Sequence, residues 1–202
     1  MEYKNRSFLV DSLSSYVVTD ERIRGLDSAE FIWENAIVGG HWQVWVAPPN
    51  AGKTTIAWQA AKDIGNCVET VIYAQFDAAG PELKEFYKEA EAHNVLLASN
   101  LDKSPRLFID TLLKAVADGW NPKGAVVFVD TLKKVVKTMS KDAMEDFGIK
   151  VRRLTQMGMT IIFLHHTTKR QNTDGSFDPN GVSDVVDDPD EVFMLTITTD
   201  ER

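Results

Sequence analysis

Ala47-Pro48-Pro49-Asn50-Ala51-Gly52-Lys53-Thr54 is the stretch on which the reading of this chain turns. It follows the pattern of a phosphate-binding loop, with Ala47 where the first glycine usually stands. An apolar run over residues 43–47 precedes it, and a helical pattern over residues 54–64, closed by Gly65-Asn66, follows it. A chance turn containing Gly-Lys-Thr is the competing reading, and the flanking strand and helix argue against it. In this setting the motif has a mechanism: backbone N–H groups of the loop and of the helix N-terminus surround a phosphate. Gly52 lets the backbone approach closely, Lys53 reaches the β- and γ-phosphates as a point charge, and the Thr54 hydroxyl ligates Mg2+. The expected nucleotide contacts are Pro48, Pro49, Asn50, Ala51, Gly52, Lys53, Thr54 and Thr55.

Outward from the loop, the pattern alternates between two periods. Strands are expected over residues 70–76, 95–98, 125–129, 160–165 and 191–198. Helices are expected over residues 81–93, 104–117 and 141–157, the first two opening with a proline where the missing N–H is harmless. Ahead of the loop, Asp27 and Glu30 have capping-box spacing, and a short helix over residues 28–37 is expected to end at Gly39-Gly40. The strands read as continuous Val, Ile and Phe, which marks burial on both faces. The order implies an α/β fold with a mostly parallel central sheet and helices on both faces. Residues 166–190 break the pattern, with Asp174, Asp178, Asp184, Asp187, Asp188 and Asp190 among glycines and prolines. They read either as a mobile ligand loop or as a flexible excursion.

Three strand ends carry further chemistry. Ala125-Val126-Val127-Phe128-Val129-Asp130 is an apolar strand ending in a carboxylate, the place where phosphate-loop enzymes hold Mg2+, although Asp130 also suits a helix cap before Thr131-Leu132. Thr160-Ile161-Ile162-Phe163-Leu164-His165-His166-Thr167-Thr168-Lys169 delivers histidines to the same sheet edge. His165 or His166 would contact a γ-phosphate or the attacking water, or would be a structural histidine. The two point to opposite faces, so a paired-histidine metal site is disfavoured. Tyr73-Ala74-Gln75-Phe76-Asp77 ends the second strand, where an acid would polarise the attacking water. Gln75 orients water without taking its proton, and Asp77 is the nearest carboxylate; as an alternative, Asp77 is a turn former.

Composition sets outer bounds. With 22 Lys+Arg and 30 Asp+Glu among 202 residues, the formal charge is −8, which excludes coating of nucleic acid by bulk positive charge. A local patch remains open: Lys133, Lys134, Lys137 and Lys141, then Lys150, Arg152 and Arg153, read as a solvated face or as a nucleic-acid or subunit surface. Trp42, Trp45 and Trp58 read as core or interface packing. The single Cys67 excludes an internal disulfide framework. No apolar run approaches the roughly 20 residues needed to span a bilayer, and the N-terminus lacks a signal-peptide pattern, so the expected location is the cytoplasm, away from membranes.

Together these motifs resemble the RecA-like ATPases, and within them the RepA-like hexameric replicative helicases and related phage or plasmid AAA-family ATPases. The likeness extends over residues 37–197. It rests most specifically on Asp130-Thr131-Leu132 joined to Phe163-Leu164-His165-His166-Thr167-Thr168-Lys169. The resemblance implies that Asp130 carries Mg2+ with Thr54, that His165 or His166 senses the γ-phosphate, and that Lys169 begins a DNA-facing loop. It implies ATP and Mg2+ as ligands, single-stranded DNA as a partner and a homo-oligomeric ring or filament. Residues 1–25 show no sustained period and read as an N-terminal arm or a first small element, with residues 26–202 expected as the ATPase core. The family's base is a glutamate; here the stretch is Gln75-Phe76-Asp77, so either Asp77 serves or turnover is reduced. The usual C-terminal hairpin with its trans-acting arginine is not expected before Arg202.

The leading expectation is thus an ATP-hydrolysing motor of DNA replication or recombination. An ATP-binding regulator or loader with weak hydrolysis is the alternative. A small-molecule kinase fits less well, because an arginine-rich lid is missing from residues 166–190, where the cations are Lys169 and Arg170.

Overall fold

A computed structural model describes residues 9–24, 30–172 and 177–196. The chain forms two compact units, Met1–Glu30 and Phe31–Arg202. In the first lies helix α1 (Asp20–Arg24), with Asp20 and Glu21 in its opening turn, where negative charge suits the helix dipole.

The second unit opens with a hairpin of β1 (Phe31–Trp33) and β2 (Ile37–Val38), with Phe31 opposite Val38. The phosphate-loop strand β3 (Trp42–Ala47) leads to α2 (Lys53–Ile64). Next come β4 (Val71–Gln75), α3 (Gly80–Ala92) and β5 (Val95–Ser99). A 3-10 turn, Pro105–Leu107, runs into α4 (Phe108–Ala117). Then follow β6 (Val126–Asp130), α5 (Leu132–Val135), α6 (Lys141–Gln156) and β7 (Thr160–Gln171). The last elements are β8 (Phe177–Pro179), α7 (Asp184–Asp187) and β9 (Glu191–Met194).

Six strands form a parallel sheet in the order β5-β4-β6-β7-β3-β9, and β8 adds antiparallel to the far end of β7. Every residue of β3 and β6 is buried, as expected of central strands covered on both sides. Alternation divides the core in two. Val44, Val46, Val127, Val129, Ile161 and Phe163 face Ile109, Leu112, Met144, Phe147, Val151 and Leu154 of α4 and α6. Trp45, Tyr73, Val126, Phe128, Ile162 and Leu164 face α2 and α3. The small Ala57, Ala60 and Ala61 let α2 lie close to the sheet. Each fully buried aliphatic or Phe side chain contributes roughly 1.5–3 kcal/mol, so these layers fix where the strand ends fall. Trp42, Trp45 and Trp58 are all core residues.

The structure corrects three local expectations. Within the helix expected over residues 28–37, the described part is the β1–β2 hairpin; residues 28–29 lie outside the described residues. Partners decide it: the Trp33 ring lies 6.1 Å from that of Trp45, Ile37 is fully buried, and the Gln43 side chain donates to the Ala36 carbonyl. Residues 166–190 are not one structureless loop, because β7 continues to Gln171 and pairs with β8, and α7 follows; residues 173–176 lie outside the described residues. The helix expected from 104 begins as a 3-10 turn, with Ser104 Oγ accepting from the Arg106 N–H. Of the last expected strand, 191–198, the described part pairs with β3 as Glu191–Met194.

Candidate phosphate-binding site

Parallel strands bring their C-terminal ends to one edge, and β7 inserts between the phosphate-loop strand β3 and β6. In this register Gln75 sits beside Asp130, and Ala47 beside His166. The crevice at that edge is a cleft of about 590 Å³. Pro48, Pro49, Asn50, Ala51, Gly52, Lys53, Thr54, Thr55, Gln75, Asp77, Asp130 and His166 all line it.

The loop's backbone is shaped for an anion. Asn50 and Gly52 adopt left-handed φ values of 62° and 78°. A Cβ on Gly52 would meet nothing within 4 Å, so the glycine is required by backbone conformation, with open space before it. The first helical hydrogen bond runs from the Ile56 N–H to the Gly52 carbonyl at 3.0 Å. The leading amides of α2 precede it and have no intrahelical acceptor, which is the property that makes a helix start an anion site. Lys53 is buried at 6% exposure. Burial lowers its pKa, while the charges of Asp130 and Asp77 act against that.

Beneath the loop, the Thr54 hydroxyl donates to Asp130 Oδ2 at 2.7 Å. The Tyr73 hydroxyl at 3.5 Å and the Gln75 side-chain amide at 3.4 Å address the same oxygen. Burial, then the adjacent Asp130, raises the Tyr73 pKa well above its ordinary value, so this phenol stays a donor. Thr131 Oγ1 donates to the Leu164 carbonyl at 2.6 Å and ties the end of β6 to β7. Among the described residues no cluster of three or more acidic, His or Cys side chains could hold a metal by itself. One hydroxyl and one carboxylate are oxygen donors that suit Mg2+, which keeps waters and shares substrate phosphates.

Asp77 turns toward Lys134, whose Nζ lies 2.9 Å from its Oδ1. Burial pushes this carboxyl up, but the hydrogen bond and charge of Lys134, joined by Lys133 and His166, hold it below the ordinary value. The two histidines separate. His166, half-buried, faces the cleft; burial and then Lys53 and Lys133 lower its pKa, against Asp77 and Asp130. Its Nδ1 has no hydrogen-bond partner among the described residues. His165 points to the other sheet face, where its ring N–H donates to the Asn180 carbonyl, and burial lowers its pKa to about 4. It does not line the cleft.

Sequence reasoning missed several cleft residues: Ala78, Glu82 and Phe86 also line it. Glu82 carried a readable signal, a carboxylate in the first turn of a proline-started helix. Lys134 and Tyr73 carried none, because their roles come from pairing across elements. Other cations of the basic run are used within the fold. Lys150 pairs with Asp110 and Asp146, and Arg152 holds Asp190 and covers the Trp42 ring at 5.7 Å.

A phosphate loop, a strand-end carboxylate joined to its threonine and a strand inserted between them define a P-loop nucleotide site on a RecA-like sheet. The chain belongs to the AAA domain family, whose model matches residues 10–172. No curated protein matches it. Among solved structures, the "ATPase Domain of G40P" superposes with a TM-score of 0.57 at 13% identity, covering 79% of this chain and 70% of that one. "A unique ATP synthase subunit NeqB from Nanoarcheaum equitans" gives 0.57 at 15%, with 79% and 46% covered. At these identities the likeness is one of fold, and the chain spans less than half of the second relative. Among the described residues no helix is long and apolar enough to cross a membrane.

Proposed function

We propose that this chain is a Mg2+-dependent ATPase that works on DNA, in replication or recombination, as part of a homo-oligomeric ring or filament. The observation that carries the ATPase reading is the 2.7 Å contact between Thr54 and Asp130 beneath a phosphate loop of the correct shape. Loop amides and Lys53 bind the β- and γ-phosphates. Thr54 and Asp130 are the residues that would hold Mg2+. When bound, that ion neutralises charge across the phosphate oxygens. Asp77 accepts the proton of the attacking water once Lys134 lets go of it. His166, neutral near pH 7 and facing the cleft, hydrogen-bonds the γ-phosphate. His165 is a structural histidine behind the sheet.

The DNA assignment rests on the resemblance carried by Asp130-Thr131-Leu132 and the strand-end histidines, with exposed Lys133 and Lys137 nearby. It is tested by ATP turnover with and without single-stranded DNA, with Lys53→Ala as the control. Stimulation that falls with added salt supports it; turnover indifferent to DNA length and salt contradicts it. The second reading, a nucleotide-binding regulator with weak hydrolysis, is favoured by the Lys134–Asp77 ion pair, which keeps the carboxylate nearest the end of β4 engaged. It predicts Mg2+–ATP binding without turnover under any DNA condition.

A further inference from the structure

We propose that Gln75 is a positioning residue, a neutral strut that holds the Asp130 carboxylate against Thr54 and shapes the turn carrying Asp77. The inference rests on the ATPase reading above, and it replaces the view of Gln75 as a base position left empty.

Gln75 is 3% exposed and stands directly beside Asp130 in the β4–β6 register. Both ends of its amide are in use. Nε2 donates to Asp130 Oδ2 at 3.4 Å, and Oε1 accepts from the Asp77 N–H at 2.9 Å and the Ala78 N–H at 3.1 Å. Asp130 therefore needs a donor at this position, and the two turn amides need an acceptor. An amide supplies both, a carboxylate only the second and a hydrocarbon neither. Leaving the turn amides unpaired beneath the cleft would shift Asp77, the carboxylate that reaches Lys134. A carboxylate at position 75 would also set a second negative charge beside Asp130.

Gln75→Glu therefore separates the two views. It keeps an acceptor for the turn amides but withdraws the donor from Asp130, so Q75E is expected to be slower than native, whereas a base restored at this position would make it faster.

The test uses the full chain as native, Q75E and Gln75→Met, which keeps length and removes both bonds. ATP turnover is followed at one pH to separate kcat from KM, beside thermal unfolding without nucleotide. Q75E and Gln75→Met are each expected to lose at least ~10-fold in kcat with little change in KM. Both are expected to unfold below native, since each removes a buried hydrogen bond. Q75E as fast as native or faster overturns the proposal; so do unfolding midpoints of both variants that match native. If the native protein shows no Mg2+-dependent nucleotide binding, the ATPase reading fails instead, and the unfolding comparison, which needs no nucleotide, still decides whether the strut exists.

Discussion

Asp77 and His165 show how position fixes the chemistry of a titratable side chain. Asp77 is held below the ordinary carboxylate range by Lys134, although burial pushes the other way. As the proposed base it must be ionised, so turnover is expected to be level around neutrality and to fall only as pH drops through its depressed pKa. Asp77→Asn should reduce kcat on the order of 10²-fold while leaving nucleotide affinity nearly intact. Steady-state hydrolysis beside equilibrium binding checks this, and an equal loss in both would assign Asp77 to binding. His165 is buried neutral, with its pKa lowered to about 4, so between its unfolded value and about 4 the unfolded chain binds the extra proton. Folding stability is therefore lost as pH falls through that window, by an amount on the order of 3 kcal/mol if the shift is fully expressed. Urea midpoints for native and His165→Asn across the window should converge as pH falls; parallel curves would mean the histidine is not what titrates.

At the scale of elements, what was legible in the sequence followed from chemistry local in the chain. The strand–loop–helix unit that carries the candidate phosphate loop was readable because its residues are contiguous in the chain. The strands β3, β4, β6 and β7 were readable because burial on both faces demands continuous apolar runs. The hairpin of β1 and β2 was not, since Phe31, Ile32 and Ala36 fit a helical period and only Trp45 and Gln43 favour the strand. The extension of β7 was hidden because its partner β8 lies beyond an Asp- and Gly-rich stretch. Which histidine meets the cleft was also not legible, as it depends on the parity of β7 against β3. Gly181 marks the return of this segment to the core: its φ is +146°, and a Cβ there would meet the Thr138 carbonyl oxygen at 2.8 Å and Val185 Cγ2 at 2.9 Å. Gly181→Ala should destabilise the fold by about 1–3 kcal/mol through crowding and strain. A midpoint within error of native in urea unfolding would show that the segment yields freely.

For the whole molecule, a formal charge of −8 means that any DNA contact is local. Lys133→Glu with Lys137→Glu should weaken DNA stimulation of turnover and flatten its salt dependence, leaving DNA-free hydrolysis within about twofold. Loss of the DNA-free rate itself would place these lysines in the nucleotide site. The most direct measurement is equilibrium binding of an ATP analogue with and without Mg2+, to native, Lys53→Ala and Asp130→Ala proteins. The account predicts Mg2+-dependent micromolar binding by the native chain, about 100-fold weaker binding by Lys53→Ala, and little response to Mg2+ in Asp130→Ala. Binding that ignores Mg2+, or survives unchanged in Lys53→Ala, would contradict it.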